Sequence, residues 1–196
     1  MDKSQLEAVL LEVDAALAGA FPTSSPIKAL VVGGACLVFC GVTSRQTNDI
    51  DCIIFDLMGS DEASLIFKTP LATKIRKVIM SIGSKHGFKG EKRMVVNDDC
   101  APFLLELSSN ELPNMRLFRA YQKIHLYVPD DLHYILACKL MAGRADKDFS
   151  DIAALCTLLT IHTRVQAQQA VDRFFPSSVH QRSHLLPETL DKLFEQ

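Results

Sequence analysis

The sequence predicts a mixed α/β (α+β) fold, in which a mixed sheet with flanking helices is followed by an α-helical C-terminal part. Two observations carry this prediction. Short apolar, β-branched segments alternate with segments of helical period in the first two thirds of the 196 residues, and beyond Pro129 the apolar pattern has helical period throughout. We therefore expect an α/β core over residues 1–128 and a helical part over 129–196 that packs on it.

The composition is that of a globular chain. Hydrophobic residues make up 48% and charged residues 22% of the sequence, which excludes disorder for most of its length. The longest uncharged run, residues 29–44, is shorter than the ~18 apolar residues of a membrane-spanning helix, and three glycines interrupt it. The acidic start of the chain lacks the pattern of a secretory signal or transit peptide, so we expect no membrane contact and a cytoplasmic location. The six cysteines occur singly, which predicts buried thiols.

The order of elements follows from local patterns. The first helix has an apolar stripe, begins at a capping box formed by Ser4 and Glu7, and ends near Gly19. An apolar segment over 27–32 predicts a buried strand that stops at the pair Gly33-Gly34. The remaining predicted elements are a helix over 35–41, a strand over 50–55, a helix from Pro70 to Gly83 or Gly87, extended segments over 94–96, 103–107 and 124–128, and helices over 131–142, 148–160, 163–174 and 187–195.

Two acidic residues are expected to act together. Side chains two apart in a strand point to the same face, so Asp49 and Asp51 project side by side. Two adjacent carboxylates repel each other unless a cation lies between them. Hard oxygen ligands suit Mg²⁺, which keeps waters and binds substrate phosphates. The pair therefore predicts a site for a divalent metal with a phosphorylated ligand.

The glycine pair is the second half of the predicted site. Gly33 and Gly34 have no Cβ, so backbone N–H groups can approach a phosphate, and a helix begins there with its positive dipole end. A tight turn explains a lone glycine pair equally well, and a lone pair of acids is common at strand edges. The conjunction of the two favours a phosphate site.

The pattern G-G-x-x-L…G…R-x-T-x-D-I-D, from Gly33 to Asp51, resembles the nucleotidyltransferase (polymerase-beta-like) superfamily. Within it, the chain is similar to a minimal bacterial branch related to AbiEii-type toxin nucleotidyltransferases. A second block, from Pro129 to Asp151, resembles the helical K-L…R-D-x-x-D region of that family. The resemblance covers roughly residues 27–160 with gaps, and it implies a nucleotidyltransferase-type mixed sheet.

The resemblance also implies roles for individual residues. Gly33 and Gly34 would bind the triphosphate of a nucleoside triphosphate (NTP), and Asp49 and Asp51 would bind catalytic Mg²⁺ or Mn²⁺. The implied reaction is attack by an acceptor hydroxyl on the α-phosphorus, with pyrophosphate leaving. The remaining implied residues are Lys139, which would contact the triphosphate, and Arg45 and Thr47, which would hold the loop or contact phosphate. Without the resemblance, Lys139 on its helix is expected to extend to solvent.

The resemblance also implies a third carboxylate from a later strand, and the sequence leaves its identity open. Glu106, in the extended segment 103–107, is one candidate and Asp98 is another. Asp148 and Asp151 in the second block are further catalytic candidates, but two acids at a helix start are also typical of helix capping.

The acceptor is inferred from charge. Between Ser64 and Val96 there are eight basic residues and one acid, a local charge of +7, which favours an RNA acceptor such as a tRNA end bound along residues 68–93. A solvated helix face explains the same charges. Two alternatives stay open: transfer of the nucleotide to a protein side chain, and a catalytically lapsed protein that only binds nucleotide. The AbiEii resemblance further implies a toxin of a toxin–antitoxin pair, with an antitoxin protein as partner.

Overall fold

The computed structural model describes residues 1–54, 70–90, 94–109 and 111–194, and within them it has a mixed α/β architecture, as predicted. Helices and strands alternate up to Pro129, and the described elements after it are helices. The elements are α1 (Lys3–Ala20), β1 (Ile27–Val31), α2 (Gly33–Phe39), β2 (Ile50–Ile54), α3 (Pro70–Lys85), β3 (Val96–Asn97), α4 (Ala101–Leu107), β4 (Met115–Ala120), β5 (Ile124–Pro129), α5 (His133–Ala142), α6 (Ala145–Leu159), α7 (Arg164–Phe174), α8 (Ser178–Ser183) and α9 (Leu186–Phe194). The division into parts at 128/129 stays a prediction.

The five strands form one mixed sheet in the order β3-β2-β1-β5-β4. Strand β1 pairs antiparallel with β2 and parallel with β5, β2 pairs parallel with β3, and β4 and β5 form an antiparallel hairpin. The central position of β1 fits its sequence, because Ala29, Leu30 and Val31 are almost completely buried.

The N-terminal helix has its predicted apolar stripe but begins earlier than predicted. Asp2, and not Ser4, is the N-cap. Its carboxylate accepts the backbone N–H of Gln5 at 2.9 Å, and the Gln5 side chain accepts the backbone N–H of Asp2 at 2.9 Å. The capping box is thus shifted by two residues, because an aspartate caps as well as a serine does.

A buried carboxylate joins α1 to the sheet. Asp14 is 7% exposed, and its oxygens accept the backbone N–H groups of Gln122, Lys123 and Ile124 at 3.2, 2.6 and 3.0 Å. These donors lie in the turn between β4 and β5 and at the start of β5. Asp14 therefore fixes the turn of the hairpin against the helix.

Three local expectations are wrong. The predicted extended segment 103–107 lies in helix α4, because an apolar run of this length fits a buried helix turn as well as a strand, and Pro102 opens the helix. Strand β4 has no counterpart among the predicted segments, because it is an edge strand with mostly exposed side chains. Helix α8 (Ser178–Ser183) likewise lies where the sequence predicted no element, between the predicted helices over 163–174 and 187–195.

No helix in the described part of the chain combines the length and the apolar character needed to cross a membrane.

Candidate active site

The bend at Gly33 lies directly beside Asp51, the second acid of the predicted pair. Gly33 has φ of +61°, a conformation that favours glycine, and a Cβ built on it would lie 2.8 Å from Oδ2 of Asp51. The backbone N–H of Val32 donates to the carbonyl of Asp51 at 2.9 Å, which ties the bend to strand β2. A side chain at position 33 would displace the Asp51 carboxylate.

Asp49 and Asp51 face one cavity of about 440 Å³. Asp49 directly precedes β2 and Asp51 is its second residue, so the period of two places both on the same side. Burial raises the pKa of Asp51, and a hydrogen bond with the Asn97 side chain offsets part of this effect. The other lining residues are Val32, Gly33, Asn97, Asp99, Cys100, Phe103, Leu104, Cys138, Lys139, Ala142 and Arg144.

A second cavity of about 370 Å³ adjoins the first. Both are lined by Asp49, Asp51, Lys139 and Arg144, so these four residues form the boundary between them. Acidic and basic groups thus face both spaces at their junction. The residues that line the second cavity in addition to the four shared ones are Gly34, Arg45, Gln46, Thr47, Asn48, Asp148 and Ser150.

Gly34 lies close to side chains of the loop that carries Asp49. A Cβ at Gly34 would lie 3.0 Å from Nη2 of Arg45 and 3.1 Å from Oγ1 of Thr47. The Thr47 hydroxyl donates to the backbone carbonyl of Asp49 at 3.2 Å. Arg45 and Thr47 thus both lie against Gly34, and the role predicted for them, to hold the loop or contact phosphate, stays a prediction.

A buried ion network connects this loop to the helical part. Lys139 of α5 is 4% exposed, and its Nζ lies 2.6 Å from Asp148 and 2.9 Å from Asp151, both on α6. Asp151 also accepts Nε of Arg45 at 2.6 Å, and Asp148 accepts Nε of Arg144 at 2.8 Å. Three cations thus neutralise two carboxylates that are almost completely buried.

The network corrects two alternative interpretations. Lys139 does not extend to solvent, because it is paired with two buried acids. Asp148 and Asp151 do not cap a helix: the N-cap of α6 is Arg144, which has no side-chain cap bond. Burial raises the pKa of Asp148, but hydrogen bonds from Arg144 and Lys139 outweigh it and hold that pKa below its usual value. The pKa of Asp151 is also lowered, because hydrogen bonds from Arg45 and Lys139 outweigh the effect of burial.

The structure brings a different third acid to the cavity than the two candidates. Glu106 is exposed on α4 and does not line the cavity. Asp98 is 3% exposed and binds Nη2 of Arg76 at 2.8 Å. Asp99 lines the cavity with Asp49 and Asp51. No spacing rule identified Asp99 in the sequence, because it lies in the turn that follows the two-residue strand β3.

The donor set fits a magnesium or manganese ion that is shared with a substrate. Among the described residues, no group of three His, Cys, Asp or Glu side chains is arranged to hold a metal ion by itself. Two carboxylates beside a bend that excludes side chains leave coordination positions for water and phosphate oxygens, which Mg²⁺ prefers. Asp49 and Asp51 would hold the ion.

Two acids, Asp49 and Asp51, thus share a cavity with the basic side chains of Lys139 and Arg144, and Asp51 lies beside the bend at Gly33. The chain belongs to the family DUF6036, described as a nucleotidyltransferase of unknown function, whose model matches residues 8–166. Neither a curated protein nor a solved structure matches the chain. The family confirms the nucleotidyltransferase part of the resemblance, and the AbiEii-type branch stays a prediction.

Asp51 and Asp148 are expected to affect stability in opposite directions. The raised pKa of Asp51 means that its ionised form is penalised in the folded protein, and the penalty disappears as pH falls through that pKa. The lowered pKa of Asp148 means that its ionised form stabilises the fold above the ordinary value of 3.8, and this is lost at lower pH. At pH 7 without metal, Asp51→Asn should raise the free energy of unfolding, and Asp148→Asn should lower it by about 3 kcal/mol. Urea unfolding at pH 7 and pH 4 measures both, and a stability loss in Asp51→Asn at pH 7 contradicts the assignment.

Gly33 and Gly41 form a matched pair for testing the bend. Both have positive φ, of +61° and +72°, but a Cβ on Gly41 meets nothing within 4 Å. Gly41→Ala should cost about 1 kcal/mol of unfolding free energy from backbone strain alone. Gly33→Ala should cost more, because it also displaces the Asp51 carboxylate. Equal losses in thermal or urea unfolding would show that Asp51 does not approach the bend.

Proposed function

We propose that the chain is a metal-dependent nucleotidyltransferase, which moves a nucleoside monophosphate from an NTP to an acceptor hydroxyl. The observation that carries the proposal is the position of Asp49 and Asp51 on one cavity wall, beside a bend where a Cβ would come within 2.8 Å of the Asp51 carboxylate. The family supports the class of reaction.

Acidic and basic side chains meet at the junction of the two cavities. The basic groups would suit the triphosphate, and the acidic groups would suit a divalent ion bound to it. Lys139 and Arg144 face both cavities, and Arg45 faces the second. These groups would hold phosphate oxygens and orient the α-phosphorus toward Asp49 and Asp51. When bound, the metal supplies charge stabilisation to the transferring phosphoryl group.

Asp99 is the residue that we assign as acceptor of the proton from the attacking hydroxyl. It lines the same cavity as the acid pair, and its side chain is exposed to an incoming hydroxyl. Transfer of the hydroxyl proton to Asp99 would accompany attack of the oxygen on the α-phosphorus and departure of pyrophosphate. Asp148 and Asp151 then act as positioning residues through Lys139 and Arg45.

An RNA end is the acceptor that the charge distribution favours. Lys74, Lys77, Lys85 and Lys89 are exposed on or just after α3, whereas Lys68, Lys92 and Arg93 lie outside the described residues. Arg76 pairs with Asp98, the neighbour of the cavity-lining Asp99, and so ties α3 to the segment that carries Asp99. A toxin role with an antitoxin partner rests on the AbiEii resemblance of the two sequence blocks.

Transfer is tested with each of the four α-³²P-labelled NTPs, Mg²⁺, total RNA and cell protein. Wild-type chain should label RNA, and Asp51→Asn and Asp99→Asn should each reduce the rate by about 100-fold or more, because the first removes a charged ligand of the metal and the second removes the proton acceptor. Glu106→Gln is the matched control and should keep the wild-type rate, because Glu106 lies away from the cavity.

The fraction that carries the label separates the alternatives. Label on protein supports transfer to a side chain and overturns the RNA acceptor. Thermal stabilisation by Mg²⁺ and NTP without any transfer supports a lapsed enzyme and overturns the catalytic proposal.

The exposed lysines on and just after α3 allow a separate test of the RNA acceptor. Lys85→Gln combined with Lys89→Gln should weaken binding to total tRNA and reduce the slope of log affinity against log salt by about 1 for each lost phosphate contact. Arg182→Gln with Lys192→Gln, on α8 and α9, removes the same charge elsewhere and is the control. Fluorescence anisotropy between about 50 and 200 mM salt measures the slopes, and equal effects of the two double variants would exclude α3 as the RNA surface.

A further inference from the structure

The larger cavity has an apolar wall that the reaction at the acids does not use. Helix α4 and the residue before it contribute Phe103, Leu104 and Cys100, and helix α5 contributes Cys138 and Ala142. This wall encloses the same space as Asp49, Asp51 and Lys139. A ligand in the cavity therefore meets ionic groups and an apolar surface together.

Phe103 is the aromatic member of this wall, and a neighbouring side chain fixes its ring. Its centroid lies 4.7 Å from that of His184, with an edge-on angle of 72°. His184 follows α8, so the C-terminal part of the chain supports the ring. Phe103 is only half-buried, which leaves part of its surface toward the cavity.

We infer that this wall binds the nucleobase of the substrate, with the base stacked against Phe103. The inference rests on the proposed function and identifies the part of the site that takes the nucleoside. A cavity of about 440 Å³ is large enough for a base and a ribose. Aromatic rings bind bases through their π faces, whereas the ionic groups at the other lining positions suit the triphosphate.

The same wall determines how selective the site is. Cys100, Phe103, Leu104, Cys138 and Ala142 offer no charged or amide side chain that could read the hydrogen-bonding edge of a base. Stacking tolerates every base, because each has a π face. The four nucleotides should bind within about tenfold of one another, with purines ahead of pyrimidines.

The test separates the base from the phosphates by using adenosine, ATP and inorganic tripolyphosphate as probes of the full chain. Phe103→Ala should weaken adenosine and ATP binding about tenfold, which is the scale of one stacked base, and leave tripolyphosphate binding with Mg²⁺ unchanged. Phe103→Tyr should restore nucleoside binding, and Phe103→Leu, which keeps apolar volume, should not. Phe118→Ala on β4, whose ring packs on Phe39 at 5.3 Å, is the matched control and should bind all three probes like wild type.

The outcomes distinguish this inference from the proposed function. Equal weakening of tripolyphosphate and ATP in Phe103→Ala, or full nucleoside affinity in Phe103→Leu, overturns the stacking assignment. Adenosine binding that depends on Phe103 in a chain that transfers no label supports the base site and contradicts the transferase. Calorimetric titration measures the affinities, and unchanged tripolyphosphate binding also shows that each variant is folded.

Discussion

The buried contacts of Lys139 with Asp148 and Asp151 are the constraint on which the site depends. Removing charges from water is costly, and the cost is recovered only where each charge finds partners of good geometry. Here Lys139 lies between Asp148 and Asp151 of α6, and Arg45 is the second cation that pairs with Asp151. The loop that carries Asp49 is thus held against α5 and α6, two helices that lie far from it in the sequence.

The acid pair itself is arranged at a cost to stability. Asp51 is placed where burial disfavours its charge, and Gly33 adopts a conformation that other residues avoid. A structural carboxylate such as Asp14 is instead satisfied by three backbone donors. Under the proposed function, a cation bound at Asp51 would remove the penalty that burial places on its charge.

Local patterns in the sequence predicted the parts of the fold and site that depend on local geometry. The bend at Gly33 follows from the glycine pair that ends an apolar segment, and the common side of Asp49 and Asp51 follows from a strand period of two. The pairing of Lys139 with Asp148 and Asp151 depends on how α5 packs on α6, and no spacing rule distinguished it from capping or solvent exposure. The same limit explains the third acid: Asp98 and Asp99 both follow the two-residue strand β3, and the turn there, which has no fixed period, places Asp99 and not Asp98 on the cavity.

The two cavities and the acid pair are consistent with one arrangement of the nucleotide. The base and the triphosphate of an NTP are joined through the ribose at the α-phosphate, so a base beside Phe103 and phosphates near Arg45 require the α-phosphorus at the junction of the two spaces. Asp49 and Asp51 line both cavities at this junction. Asp99 lines the larger of the two cavities, and its neighbour Asp98 holds the helix that carries the exposed lysines. In the proposed reaction, Asp99 would accept the proton of the attacking hydroxyl, because its side chain is exposed and lines the cavity that Asp49 and Asp51 also line.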